Sequence, residues 1–111
     1  MSFSVRKDAK GVVVIAVDGQ LIVGNRHELK QKITDALEAG ERKFLIDFSN
    51  TGYIDSSGLG VLVSLSRKIR EGEGELRLAG LNEDLRTLFE LTKLDTLFNI
   101  ADSPAAALAS F

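Results

Sequence analysis

Apolar positions along this chain alternate between a two-residue and a roughly four-residue recurrence, and that alternation divides the sequence into elements. Phe3 and Val5 alternate with Ser4 and Arg6, the pattern of a short half-buried strand. Asp8-Ala9-Lys10-Gly11 reads as a turn. Val12-Val13-Val14-Ile15-Ala16-Val17 is β-branched and apolar on both faces, as expected for a central strand covered from both sides. Asp18-Gly19 stops it, and the short connection makes the first two strands an opening hairpin. Leu21-Ile22-Val23, between Gly19 and Gly24, admits two readings: a short strand or core-plugging loop, or an exposed apolar contact surface.

Asn25 followed by Glu28 resembles a capping box. Leu29, Ile33, Ala36 and Leu37 then share one helix face, and Gly40 fits the position just past the helix end. Phe44 to Phe48 forms the next strand. Leu59, Leu62, Val63, Leu65 and Ile69 mark a second helix with Arg67, Lys68 and Arg70 near its end, where cations complement the dipole and Gly72 closes it. Leu76 and Leu78 belong to a further strand ended by Gly80. Asn82, with Glu83 and Asp84 behind it, opens a third helix carrying Leu85, Leu88 and Phe89. Leu97-Phe98-Asn99-Ile100 is the expected last strand, and Ser103-Pro104 starts a short final helix over Ala105 to Ala109.

Strands alternating with helices imply crossovers and parallel pairing. The expected fold is therefore α/β: a mostly parallel mixed sheet of about five strands with an antiparallel N-terminal hairpin and about four helices. No linker or repeat interrupts the chain, so residues 1–111 are expected to form a single domain. Sites in such sheets gather at the carboxyl ends of strands. The polar stretch Asp55-Ser56-Ser57-Gly58 lies there, between a strand and the second helix. Spacing alone makes one of its two serines the N-cap.

Composition narrows the chemistry. Sixteen acidic against fourteen basic residues give a net charge of −2 without a basic block, so there is no electrostatic case for nucleic acid or an anionic membrane. The longest apolar run, Val12 to Val17, is too short to span a bilayer, and Met1 to Arg6 lacks the pattern of a signal peptide. A cytoplasmic protein without membrane insertion is expected. With no cysteine, thiolate metal sites and cysteine nucleophiles are excluded. His27 is the single histidine and sits among polar residues as a solvated side chain does. No nucleophile elbow, phosphate-binding loop or dinucleotide fingerprint occurs. Asp47 and Asp55 are two carboxylates near one junction, too few oxygen ligands to make a metal site. The expectation is a non-enzyme without metal or cofactor.

Phe48-Ser49-Asn50-Thr51-Gly52-Tyr53-Ile54-Asp55-Ser56-Ser57-Gly58-Leu59-Gly60-Val61-Leu62 resembles the signature of the STAS domain family of bacterial anti-sigma-factor antagonists. Gly19-Gln20-Leu21 resembles that family's G-E-L turn, and Leu91-Thr92-Lys93-Leu94 with Phe98 and Ile100 resembles its ending. The resemblance implies partner switching: an unphosphorylated antagonist binds an anti-sigma factor with serine kinase activity and frees the sigma factor. Phosphorylation of the serine after the aspartate, here Ser56, ends the interaction, and a serine phosphatase resets it. The contact surface implied comprises Gln20, Leu21, Ile22, Asp55, Ser56, Ser57, Gly58 and Leu59. With Ser56 the acceptor, Ser57 is the serine left to cap the helix. A STAS adaptor in a signalling assembly or beside a lipid-transport ATPase, never phosphorylated, is the alternative. Two positions depart from the pattern. Gln20 replaces an acid, and Lys93 replaces a frequent glycine where a left-handed backbone would cost about 1 kcal/mol. A monomer is expected, since one core accounts for nearly every periodic apolar position.

Overall fold

The computed structural model describes residues 3–111. Seven strands form two sheets. The larger has the order β1 (Phe3–Lys7), β2 (Val13–Val17), β4 (Lys43–Asp47), β6 (Glu75–Ala79) and β7 (Asn99–Ala101). β1 runs antiparallel to β2, with Val5 opposite Ile15, and the remaining pairs are parallel. This is the mixed sheet and opening hairpin that the periodicity predicts. The smaller sheet is a parallel pair, β3 (Gly19–Leu21) with β5 (Thr51–Ile54). The helices are α1 (Arg26–Glu38), α2 (Ser56–Glu71), α3 (Glu83–Leu91) and α4 (Pro104–Ala109).

The two faces of β2 explain its composition. Val13, Ile15 and Val17 point into the main core with Leu29 and Ile33 of α1, Leu62 and Leu65 of α2, and Phe89 of α3. Val12 and Val14 point the other way, into a smaller cluster with Leu45, Ala79 and Ala107 of α4. A strand buried on both faces has no polar alternation to show.

Several helix ends follow the sequence. Asn82 accepts from the Leu85 amide at 2.8 Å and Ser103 from that of Ala106 at 3.1 Å. Gly40 takes φ 97° just past α1. Lys93 adopts the left-handed conformation after α3, φ 63°, without glycine's freedom.

Two expectations are corrected, the cap of α1 and the start of the last strand, and one strand is new. Asn25 does not cap α1; its side chain accepts from the Ile22 amide at 2.9 Å and donates to the Gln20 carbonyl at 2.8 Å. The amide group folds back onto its own loop, where the half-buried Ile22 N–H and the Gln20 carbonyl lie within its reach and outcompete the helix amides. Gly72 closes α2 as expected, at φ −86° with its amide donating to the Lys68 carbonyl at 3.2 Å, and the left-handed residue is the next one, Glu73, φ 62°. The last strand begins two residues later than the pattern suggests, since the amides of Leu97 and Phe98 bond to the Leu94 carbonyl and a 3-10 turn precedes it. Phe98 goes into the core instead, edge-on to Phe89 at 5.8 Å. β5 was not anticipated, because Asn50-Thr51-Gly52 has turn composition.

Candidate functional site at the start of α2

β5 delivers the chain to the head of α2. Thr51 is buried and donates its hydroxyl to the Val17 carbonyl at 2.6 Å, so β5 is anchored to the end of the central strand. Four residues on, Asp55 leaves the strand at φ −89°, ψ 178° and caps the helix: Oδ1 accepts from the Gly58 amide at 2.8 Å. Its other oxygen, Oδ2, accepts from the Val23 amide at 3.0 Å, and its backbone N–H donates to the Leu21 carbonyl at 3.1 Å. One aspartate thus ties the β3–α1 loop to the head of α2.

That arrangement corrects the assignment of Ser57 as cap. Asp55 accepts the amide bond a capping serine would take, and its extended backbone is the conformation an N-cap needs. Ser56 and Ser57 are the first two helical residues. Ser56 is exposed and its hydroxyl bonds to no described residue; Ser57 is half-buried. Both carboxylate oxygens of Asp55 are engaged, and Asp47 is turned to Ser49, accepting from its amide at 2.9 Å and its hydroxyl at 2.6 Å. The two acids are each committed to local backbone.

The remaining residues of the expected contact surface divide. Gln20 is exposed, Ile22 and Leu59 are half-buried. Leu21 and Gly58 are buried, so their side-chain positions face inward. Gly58 is where α2 crosses β3: a Cβ there would stand 2.5 Å from the Leu21 carbonyl oxygen and 2.9 Å from Ile54 Cγ2. Leu21-Ile22-Val23 is divided, with Leu21 in the core and Val23 60% exposed beside Asp55.

The structure adds residues that the pattern did not single out. A groove of about 510 Å³ opens beside Ser56, between β5, the first turn of α2 and α3. Tyr53, Leu59, Asp84 and Leu88 line it together with Ser56. Tyr53 is 58% exposed. Leu88 looked like a core position of α3 and is half-buried.

Residues 5–107 match the STAS domain. The chain belongs to this family. A Bordetella bronchiseptica STAS relative, BtrV, provisionally named an anti-sigma factor antagonist, is 30% identical over 91% of this chain and 87% of its own. The anti-sigma-B factor antagonist of Staphylococcus aureus is 30% identical over 78% of this chain and 80% of its own. Among solved structures, the Bacillus antagonist SpoIIAA in its phosphorylated form superposes with a TM-score of 0.76 at 22% identity, covering 98% of this chain and 99% of that one; this is a likeness of fold. The STAS relatives are regulators of sigma-factor control, and no described helix here is long and apolar enough to cross a membrane.

Proposed function

We propose that this STAS domain is an anti-sigma-factor antagonist that works by partner switching. Unphosphorylated, it binds an anti-sigma factor with serine kinase activity and releases the sigma factor; phosphorylation of Ser56 ends the complex, and a serine phosphatase restores it. The protein acts in the cytoplasm as a monomer and catalyses nothing itself. The observation that carries this reading is the exposed Ser56 hydroxyl. It is free of hydrogen bonds to described residues and stands beside an aspartate that already performs the capping duty. A hydroxyl held by helix amides would be less available to accept a phosphoryl group. The contact face takes in exposed Gln20 and Val23 and half-buried Ile22, Ser57 and Leu59, over buried Leu21 and Gly58.

The switch needs only local chemistry. A phosphoryl group adds about −1.5 to −2 charge and three acceptor oxygens to the centre of the contact face. The partner then meets bulk, repulsion and desolvation, while the core of this domain is untouched. Incubation with ATP and each serine-kinase anti-sigma factor of the source organism, followed by phosphopeptide mapping, tests the assignment. Phosphate is expected on Ser56, and Ser56→Ala should abolish incorporation and retain binding. Phosphate on Ser57 would reverse the roles of the two serines, and no phosphate on either would favour the adaptor reading.

A further inference from the structure

The groove beside Ser56 has a chemical character that the contact surface implied by family resemblance does not include. Its floor is apolar: Ile54 and Leu85 are each 3% exposed. Leu59 and Leu88 form half-buried walls, and Tyr53 stands at the mouth. The charged residues among those lining it are Asp55 and Asp84, both acidic, and neither lysine nor arginine lines it. Asp55 spends its oxygens on two backbone amides. Asp84 is exposed and makes no hydrogen bond or ion pair with a described residue. Beyond the groove the α3 surface continues Asp84, Leu88, Leu91 at helical spacing, and Leu91 is 77% exposed.

We propose that this groove receives a cationic amphipathic segment of the partner protein, with apolar side chains between Tyr53 and Leu88 and a lysine or arginine against Asp84. The proposal rests on the reading that a partner docks over Ser56, and it places the recognition on α3, away from the β3–α1 loop. Charge complementarity selects the occupant: an apolar trough whose charged lining residues are both carboxylates matches a segment carrying both apolar and basic residues. Apolar contact supplies the affinity, while a cation facing an unpaired acid supplies register and discrimination among similar partners. Ser56 lines the same groove. A phosphoryl group there would intrude on the space in which the segment packs, linking the switch to the recognition surface.

The test uses the full chain and each purified serine-kinase anti-sigma factor of the source organism, with affinities measured by calorimetry at low and high salt. Asp84→Lys and Leu88→Ser should each weaken the complex by about tenfold or more. Asp84→Asn should weaken it less and flatten its salt dependence. Amide resonances of Asp84, Leu88 and Thr92 should shift when the partner is added. Circular dichroism and urea melts check folding, and Asp84→Lys, being at an exposed position, separates lost contact from lost structure. If the wild type binds and Ser56→Glu weakens binding while the groove variants do not, the groove proposal fails and partner switching stands. If no anti-sigma factor binds the wild type, both fail. Sedimentation showing a wild-type dimer that Leu88→Ser dissolves would assign the groove to a second copy and overturn the proposal. So would saturable binding of dodecyltrimethylammonium in the groove combined with partner affinity that ignores all three variants.

Discussion

Two glycines in the first turns of α2 make opposite predictions for the same substitution. At Gly60 a Cβ would meet nothing within 4 Å, so Gly60→Ala removes the backbone entropy cost of glycine in a helix and should stabilise the domain by about 0.5–1 kcal/mol. At Gly58 the same methyl would stand 2.5 Å from the Leu21 carbonyl oxygen and 3.0 Å from Leu21 Cγ. The obstacle is backbone, and that carbonyl also accepts from the Asp55 amide at 3.1 Å, so it cannot rotate aside as a side chain would. Overpacking costs about 1–3 kcal/mol, and a backbone clash belongs at the upper end. After the gain in helix propensity, Gly58→Ala should destabilise by about 2 kcal/mol, placing the two variants about 3 kcal/mol apart. With a urea m-value of about 1.5 kcal/mol/M, their unfolding midpoints should differ by about 2 M. Because relief of the clash moves α2 away from β3, Gly58→Ala should also weaken the Asp55 contact with Val23, visible as an amide shift at Val23. Coincident midpoints, or a more stable Gly58→Ala, would refute the packing argument.

Other substitutions test separate parts of the account. Asp55→Ala removes the cap and the tether to Val23 and should cost about 1–2 kcal/mol; Ser57→Ala should stay within about 0.5 kcal/mol of wild type, and denaturant melts in which Ser57→Ala is the costlier would restore Ser57 as the cap. Ile33→Ala, at a fully buried position of α1, should lose about 2–5 kcal/mol, and a loss below about 0.5 kcal/mol would mean that α1 packs by another face. Lys93→Gly relieves a left-handed lysine at φ 63° and should raise stability by about 0.5–1 kcal/mol, read as a higher melting temperature.

The sheet and its helices were readable because their signals are periodic and redundant. Val12 to Val17 could only be a strand covered twice, and Asn82 and Ser103 each keep their side-chain oxygen for the helix amide three residues on. Asn25 had the same local signature as Asn82 and a different outcome, because the loop before it offers the Ile22 amide and Gln20 carbonyl to its side chain. Capping is a competition among nearby donors, and sequence spacing does not disclose who else is present. The head of α2 shows the same point: with three residues able to cap, only the extended backbone of Asp55 decides in its favour. β5 escaped notice because its partner, β3, lies some thirty residues upstream, roughly the length of a crossover unit. The head of α2 as the candidate site was legible through family resemblance, whereas the groove was not. It arises where α3 meets β5, and nothing in either segment alone announces the other.

Asp55 filling the Gly58 amide has a consequence for how long-lived information could be kept here. A phosphoryl group on Ser56 would find that amide already taken by a carboxylate at 2.8 Å, and displacing it would also cut the bond to Val23. The negative charge would therefore gain no bond from that amide while the cap stays in place, and would sit as an open mark beside a cap already made. A mark that its bearer does not hold can be written and erased at nearly constant folding stability. The domain then serves as a rigid page, and the meaning of the mark lies entirely with whichever molecules read it.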